Sequence, residues 1–340
     1  MEKGNKEGSG SPQPALPVLN RNVEIIGLLY HRFDEQRYPS TSISKDLFKR
    51  QLAYLKESGI RVVTFSEAIR KLTSSDASGR FVVITIDDAF NSFFQNGFPL
   101  LKAFGYPATL FINTETVGSG DYINWQDMKY LVDHGVEIGN HTHSHGYFLN
   151  VDQESRYDVF YQELKEAQQI IREKLNIEPK VFAYPYGEYD STMIRAVRNM
   201  GFIGAAAQNS GVISSYSNLY SLPRFPMTDF YGDMTKFKEK LAMSALPVIR
   251  TEPGTTIAPQ NPPVLKFYLE KNEFDMGQMQ CFIQGSQCNI ETLDSSNLSF
   301  QIVASEKLTS RRHLYTITVP SRDNSQWFWF SHQWVFPEIK

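Results

Sequence analysis

The sequence has few cysteines, no long hydrophobic run and little net charge. Its two cysteines, Cys281 and Cys288, have no second Cys/His pair close by, which argues against a zinc knuckle. No stretch approaches the ~18 consecutive apolar residues of a membrane-spanning helix. The net charge is −3 and no long basic run is present, which argues against nucleic acid as the main partner. Membrane anchoring and oligomeric state stay open.

The oxidation state of the two cysteines would indicate where the protein is located. A disulfide across a hairpin would indicate an exported protein, whereas two buried thiols would not. Residues 1–22 are predicted to be a flexible tail, because Gly, Ser and Pro dominate its start and no hydrophobic signal core is visible. We expect an extracytoplasmic protein, periplasmic, cell-surface or secreted, with no signal segment visible in this sequence.

Residues 23–246 alternate between strand-like and helix-like segments. Val23–Tyr30 and Phe81–Ile86 are apolar runs of the kind found in buried strands, and Ser44–Ser58 repeats leucines on one helical face before Gly59. Repeated strand–helix units predict an α/β domain with a mostly parallel sheet or barrel. In such folds the active groups gather at the carboxyl ends of the strands.

The composition changes near residue 247. Residues 247–263 are rich in Pro, Thr and Gly and are predicted to be a linker. Residues 264–340 alternate apolar and polar positions between turn residues, which predicts a small antiparallel β-sandwich. Its last strand is dense in aromatic residues, namely Trp327, Phe328, Trp329, Phe330 and Trp334. These could stack on sugars, but we favour core and interface roles, because a small sandwich needs large side chains to bury enough area.

Two groups of polar residues are candidates for a metal site. Asp87 and Asp88 directly follow a buried-looking strand, and His141, His143 and His145 share one short segment. Burying unpaired carboxylates is costly, so a divalent cation is the expected partner. On a helical turn His141 and His145 would share one face, whereas in an extended segment His141 and His143 would be the pair. Acids that only cap a helix and a histidine loop without metal are the alternatives.

Three short segments are informative together: 85–89 (TIDDA), 141–145 (HTHSH) and 182–187 (FAYPYG). They resemble motifs of the polysaccharide deacetylases, the NodB-homology or carbohydrate esterase family 4 group. The run 28–32 (LLYHR) is similar to the start of the biofilm poly-β-1,6-N-acetylglucosamine deacetylases. The resemblance covers 23–246 and implies a distorted (β/α) barrel of the deacetylase type.

The resemblance also implies a ligand set for one divalent ion. Asp88, His141 and His145 would bind the metal, and His143 would lie away from it. Zinc is the expected ion, with cobalt or nickel as alternatives. Ala89 stands where the family usually has Gly, which would tighten the turn but leave both carboxylates in place.

Four further residues receive roles in catalysis from the resemblance. Asp87 would be the base, His31 the acid that protonates the departing amine, and the backbone N–H of Tyr186 an oxyanion donor. Ala183 stands where many members have an arginine that orients the base, and Arg224 is the candidate substitute. A His31 that only hydrogen-bonds at the end of its strand, and an Arg224 in an ordinary surface ion pair, are the alternatives.

The implied activity is metal-dependent removal of acetyl groups from N-acetylglucosamine units of a polysaccharide, by a hydrolase acting on carbon–nitrogen bonds other than peptide bonds. The position of His31 favours poly-β-1,6-N-acetylglucosamine over peptidoglycan or chitin. An esterase for glycan O-acetyl groups is a second enzyme hypothesis. A glycan-binding surface protein with a relic site is the non-enzyme hypothesis, and the intact set of acids and histidines argues against it.

Overall fold

A computed structural model describes residues 17–284 and 286–339. The strands of the α/β region are β1 (Val23–Tyr30), β2 (Arg32–Phe33), β3 (Ser42–Ile43), β4 (Arg61–Val63), β5 (Gly79–Asp87), β6 (Thr109–Ile112), β7 (Glu137–Asn140), β8 (Val181–Ala183), β9 (Gly204–Ala206), β10 (Val212–Ile213) and β11 (Phe225–Pro226). Its α-helices are α1 (Lys45–Glu57), α2 (Phe65–Thr73), α3 (Phe98–Phe104), α4 (Trp125–Asp133), α5 (Gln153–Leu175), α6 (Ser191–Asn199) and α7 (Met234–Ala242). In this part of the chain no helix is long and apolar enough to cross a bilayer.

Short polar side chains start several of these helices. The Thr64 hydroxyl accepts the Glu67 N–H at the start of α2, and the Asn124 side chain accepts the Asp127 N–H at the start of α4. Such N-caps satisfy backbone donors that have no partner inside the helix. The α/β alternation therefore has local causes in the sequence as well as hydrophobic ones.

The α/β region is built on one curled sheet. Its strand order is β10-β1-β5-β6-β7-β8-β9, and β4 and β11 pair with β5 and β1. All pairs are parallel except β1 with β10. Leu222 pairs with Ala206 of β9, and β11 then pairs with β1. Residues 222–226 therefore lie between β9 and β1. The predicted α/β distorted barrel is confirmed.

Strand β5 shows how the sheet separates two apolar layers. Val82 and Ile84 pack in the cluster that contains the α1 leucines, whereas Phe81 and Val83 pack in the cluster with Ile25 and other inward residues. Successive side chains of a strand point to opposite faces. The inward set therefore continues through residues 85 and 87 at the carboxyl end of β5.

The C-terminal region is a β-sandwich, as predicted. Its strands are β12 (Ser244–Ala245), β13 (Val248–Glu252), β14 (Val264–Leu269), β15 (Gln280–Ile283), β16 (Cys288–Asp294), β17 (Ser299–Ala304), β18 (Arg312–Pro320) and β19 (Trp327–Val335). In the described residues they form two four-stranded sheets, β12-β19-β18-β15 and β13-β14-β17-β16. Phe267, Phe300, Ile317 and Trp334 share the core of this region.

Two segments predicted as tail and linker are partly ordered. Residues 1–16 of the predicted tail lie outside the described residues, but Asn20 donates hydrogen bonds to the carbonyls of Ser74 and Ala77 at 2.6 and 2.8 Å. Within the predicted linker 247–263, strand β13 pairs with β14. Backbone pairing at the open edge of a sheet needs no apolar alternation, which is why composition alone suggested a linker here.

The cysteines and the aromatic strand join parts of the molecule. Cys281 and Cys288 form a disulfide that links β15 of one sheet to β16 of the other. Trp329 packs on Phe225 with ring centroids 5.4 Å apart, and its indole N–H donates to Ser210 Oγ at 3.1 Å. Phe330 packs on the sandwich core. Alternate residues of β19 thus fill the core and cover the interface, as the favoured interpretation predicted.

Candidate metal centre

The two carboxylates lie at the carboxyl end of β5. Asp87 is the last residue of the strand and points into the barrel, where it is fully buried. Asp88 and Ala89 have φ of 73° and 59°, the left-handed region. For residues other than Gly this region costs roughly 1–2 kcal/mol each. Neighbouring residues of a regular strand point to opposite faces of the sheet. The sharp turn instead keeps both carboxylates at the same end of the barrel, with Asp87 inside it and Asp88 beside His141 and His145.

The histidine segment forms a tight loop after β7. Its turn is held by side chains, because Asn140 Oδ1 accepts the Thr142 N–H at 2.8 Å and Thr142 Oγ1 accepts the His145 N–H at 3.1 Å. Thr142 and His145 have φ of 69° and 56°, so the segment is not the helical turn considered from the spacing. The loop still brings the rings of His141 and His145 to 4.8 Å between centroids.

Asp88, His141 and His145 present ligand atoms within 4.8 Å of one another. The Nε2 atoms of His141 and His145 lie 3.4 and 3.2 Å from Asp88 Oδ1. Within the described residues, the buried atoms Asp88 Oδ1 and His141 Nε2 have no hydrogen-bond partner. Buried polar atoms are rarely left unpaired, and one carboxylate with two imidazoles is a donor set for a divalent transition metal.

The second ring nitrogen of His141 supports the same interpretation. Nδ1 lies 2.7 Å from the Ala183 carbonyl oxygen, which can only accept, so Nδ1 carries the proton. Nε2 then has its lone pair facing Asp88. This arrangement, in which a carbonyl fixes the tautomer, is usual for metal-binding histidines.

His143 lies away from this cluster. Its Nδ1 is 2.9 Å from Thr114 Oγ1, and its Nε2 is 3.6 Å from Glu166. Glu163 accepts the backbone N–H groups of His143 and Ser144 at 3.1 and 2.8 Å. These contacts anchor the outer part of the loop to α5, so the pair nearest Asp88 is His141 with His145.

Asp87 is paired with Arg224 inside the barrel end. The guanidinium donates to both carboxylate oxygens at 2.7 and 2.8 Å, to Thr85 Oγ1 at 3.1 Å and to the Ala207 carbonyl at 3.0 Å. Both side chains are 0% exposed, so Arg224 is not an ordinary surface ion pair. Burial has the largest single effect on the pKa of Asp87 and would raise it, but the charge of Arg224, its hydrogen bonds and the nearby histidines together lower the pKa. Asp87 is therefore held ionised.

His31 follows β1 at the same end of the sheet. Desolvation lowers the pKa of His31, and the negative charges of Asp88 and Asp87 oppose that shift. His31 therefore lies on the rim that carries both carboxylates, close enough for each of them to act on its pKa. Strand order explains this, because β1 and β5 are parallel neighbours with Tyr30 opposite Ile86.

Tyr186 lies in the short turn Pro185–Gly187 after β8 and has φ of 58°. Its ring meets the His145 ring edge-on at 4.5 Å and stacks on Tyr147 at 4.1 Å with an interplanar angle of 4°. Burial raises the pKa of the Tyr186 hydroxyl. The ring thus forms a wall beside the histidines at the mouth of the site.

Sequence reasoning missed several residues around this site. Thr85 was detectable, because strand alternation puts it on the same face as Asp87. Asn140 and Thr142 lie in the recognised histidine segment, but their bracing bonds depend on the loop conformation. Tyr147 gave no signal, since its stacking partner Tyr186 is far away in the sequence.

Comparisons with known proteins show which family this chain is similar to. A family model described as polysaccharide deacetylase matches residues 74–205. The poly-β-1,6-N-acetyl-D-glucosamine N-deacetylase of Staphylococcus aureus (strain MRSA252) is 24% identical over 251 residues, 66% of this chain and 86% of that protein.

Solved structures give the same result for the fold. IcaB from Ammonifex degensii superposes with a TM-score of 0.56 at 26% identity, covering 64% of this chain and 96% of that one. The Streptococcus pyogenes deacetylase PplD in complex with acetate has a TM-score of 0.60 at 23% identity, covering 65% and 99%. The chain therefore contains a domain of the polysaccharide deacetylase family, the NodB-homology or carbohydrate esterase family 4 group.

Proposed function

We propose that this protein is a metal-dependent N-deacetylase acting on N-acetylglucosamine units of a polysaccharide. One observation carries the proposal: the Asp88–His141–His145 cluster contains two buried ligand atoms, Asp88 Oδ1 and His141 Nε2, without hydrogen-bond partners in the described residues, beside the ionised pair of Asp87 and Arg224. The cluster offers a place for a cation, and the pair offers a base that is not needed as a ligand. A cation that activates water and a base that takes up its proton are two of the groups needed to hydrolyse an acetamide.

Asp88, His141 and His145 would hold the metal. When bound there, a divalent ion supplies Lewis acidity, which makes water a stronger acid and polarises a carbonyl group. Zinc is our first choice, because two imidazoles and one carboxylate suit it, and cobalt or nickel remain compatible with the same donors.

Asp87 is the proposed general base. It is ionised because Arg224 compensates its buried charge, and both of its oxygens are oriented by that guanidinium. Such an Asp can accept a proton from the attacking water during the reaction. Arg224 does the positioning that an arginine at position 183 would otherwise do, and it comes from the segment before β11.

His31 and Tyr186 complete the proposed machinery. An amine is a poor leaving group, so the C–N bond breaks only if the nitrogen is protonated, and His31 is the candidate donor on the rim. The backbone N–H of Tyr186 is the candidate donor to the oxyanion of the tetrahedral intermediate. The products are acetate and a glucosamine unit, which is cationic at neutral pH.

Poly-β-1,6-N-acetylglucosamine is the proposed polymer. Support comes from the early position of His31 and from the activity for which the Staphylococcus aureus relative is named, at 24% identity. Peptidoglycan or chitin deacetylation and glycan O-deacetylation are the competing assignments. We also propose an extracytoplasmic, biofilm-related role, which the Cys281–Cys288 disulfide supports because such bonds persist in oxidising compartments.

The test is acetate release from a panel of polymers, with Asp87→Asn as the diagnostic variant. The panel contains β-1,6- and β-1,4-linked N-acetylglucosamine polymers, peptidoglycan and O-acetylated xylan. The wild type should release acetate from the β-1,6 polymer most rapidly and lose this activity with a chelator. Asp87→Asn should keep its metal content and lose nearly all turnover. Wild-type turnover by Asp87→Asn would remove the base assignment, and release from xylan alone would favour the esterase.

A further inference from the structure

The β-sandwich reaches the mouth of the metal site through two adjacent arginines at the start of β18. Arg311 donates to both oxygens of Glu188 at 2.7 and 2.8 Å, and Arg312 donates to the same carboxylate at 3.1 Å. Glu188 is almost fully buried and follows the turn that carries Tyr186. The accessory region is therefore joined to the wall of the site by a buried ionic contact.

The two arginines differ in how many of their guanidinium N–H donors already have an acceptor. Arg311 is buried and also donates to Asn150 Oδ1 and the Pro337 carbonyl at 2.8 Å each. Arg312 is 37% exposed, and within the described residues Glu188 is its hydrogen-bond acceptor. A guanidinium has five N–H donors. Arg312 thus presents unused donors to solvent, whereas Arg311 serves as the structural clamp.

Arg312 lies next to the aromatic wall of the site. Its guanidinium carbon is 4.9 Å from the centroid of the Tyr186 ring, and that ring contacts both His145 and Tyr147. Tyr147 is 42% exposed at this mouth. Arg312 and Tyr147 thus both contact the Tyr186 ring, and exposed aromatic surface together with unused donors suits a sugar ring, which has apolar C–H faces and acceptor oxygens.

We propose that Arg312, with the exposed part of Tyr147, forms a subsite for the sugar unit next to the one being deacetylated. The subsite selects an N-acetylated unit there. A guanidinium can only donate hydrogen bonds and is always charged, so it binds an acetamido carbonyl and repels an ammonium group. The substrate class assigned to this subsite rests on the proposed function. After one unit has been deacetylated, the polysaccharide therefore binds less well when it is shifted by one sugar unit, because the deacetylated unit then occupies the subsite.

The experiment compares Arg312→Gln with Arg322→Gln. Arg322 is exposed in the turn between β18 and β19, at the opposite end of that hairpin, and is the matched control. Binding of the β-1,6-linked N-acetylglucosamine trimer, its fully de-N-acetylated counterpart and the N-acetylglucosamine monomer is measured by calorimetry on metal-free protein. The melting temperature of each variant checks folding.

The wild type should bind the acetylated trimer more tightly than the deacetylated one. Arg312→Gln should weaken binding of the acetylated trimer by roughly 10-fold, the loss expected for a hydrogen bond to a charged group, and leave monomer binding unchanged. Arg322→Gln should match the wild type, and Arg312→Lys should lie between. Unchanged trimer binding in Arg312→Gln, equal losses for monomer and trimer, or no trimer binding by the wild type would overturn the subsite.

Acetate release from the same trimer by the metal-loaded proteins separates the two proposals. A wild type that binds the trimer selectively but releases no acetate contradicts the proposed activity and leaves the subsite standing. An Arg312→Gln variant that releases acetate with the wild-type KM contradicts the subsite and leaves the activity standing. The subsite predicts a KM raised roughly 10-fold with kcat little changed.

Discussion

Replacing Arg224 with Met should damage both stability and activity, because it leaves the Asp87 carboxylate buried without its partner. Met fills much of the same volume but offers no donor for the Asp87 oxygens, Thr85 Oγ1 or the Ala207 carbonyl. Breaking a buried ion pair by removing one partner costs about 3–5 kcal/mol. At about 2–4 °C per kcal/mol for a domain of this size, the melting temperature should fall by roughly 6–20 °C.

The activity should fall for a related reason. Without the guanidinium, burial dominates and raises the pKa of Asp87, so the carboxylate takes up a proton and can no longer act as a base. Denaturant unfolding and acetate release measure the two effects. The control is Arg21→Met, which removes the exposed pair with Glu270 and should cost under about 1 kcal/mol.

The double variant Asp87→Asn/Arg224→Met tests the cause directly. It leaves no buried carboxylate, so its loss of stability should be smaller than the sum of the two single losses by more than about 1 kcal/mol. Additive losses, or an Arg224→Met protein within about 1 kcal/mol of the wild type, would refute the view that this pair compensates a buried charge.

Three further substitutions test separate parts of the site and interface. His31→Ala should slow amide hydrolysis by roughly 10²–10⁴-fold and spare an activated aryl acetate, whose leaving group needs no acid; equal losses on both substrates would indicate a structural role. Ala89→Gly should raise the free energy of unfolding by about 1 kcal/mol in denaturant titration, because Gly adopts positive φ without the cost that Ala bears, and a destabilised variant would contradict this. His332→Gln should flatten the loss of melting temperature in acid. Desolvation lowers the pKa of His332 from 6.5 to about 4, so the unfolded state binds more protons and stability falls as pH drops through that window; parallel pH profiles would contradict this.

The barrel and the core of the site follow from local signals in the sequence. Buried strands such as β5 are continuous apolar runs, and strand alternation already assigns Asp87 to the inner face. The pairing of His141 with His145 was among the alternatives, but its loop geometry was not. Left-handed residues at Asp88 and Thr142 are stabilised by the surrounding fold, and no pattern of residue types in a short segment predicts them.

Contacts between segments that are distant in the chain were harder to predict from the sequence. Arg224 was named as a substitute for a missing arginine, but its burial depends on the segment between β9 and β1, which pairs over only a few residues. The clamp that joins Glu188 to Arg311 and Arg312 links regions more than 120 residues apart. Sequence patterns report periodicity within an element and carry no such long-range information.

Metal titration with acetate release measured in parallel tests the central claim most directly. Protein freed of metal with a chelator is supplied with increasing zinc, and bound metal and acetate from the N-acetylglucosamine polymer are measured at each step. We expect one ion per chain, acetate release in proportion to occupancy, and loss of both in Asp88→Asn. Full acetate release by the metal-free protein, or one tightly bound ion in Asp88→Asn with wild-type turnover, would contradict the assignment of Asp88, His141 and His145 as the metal site of a deacetylase.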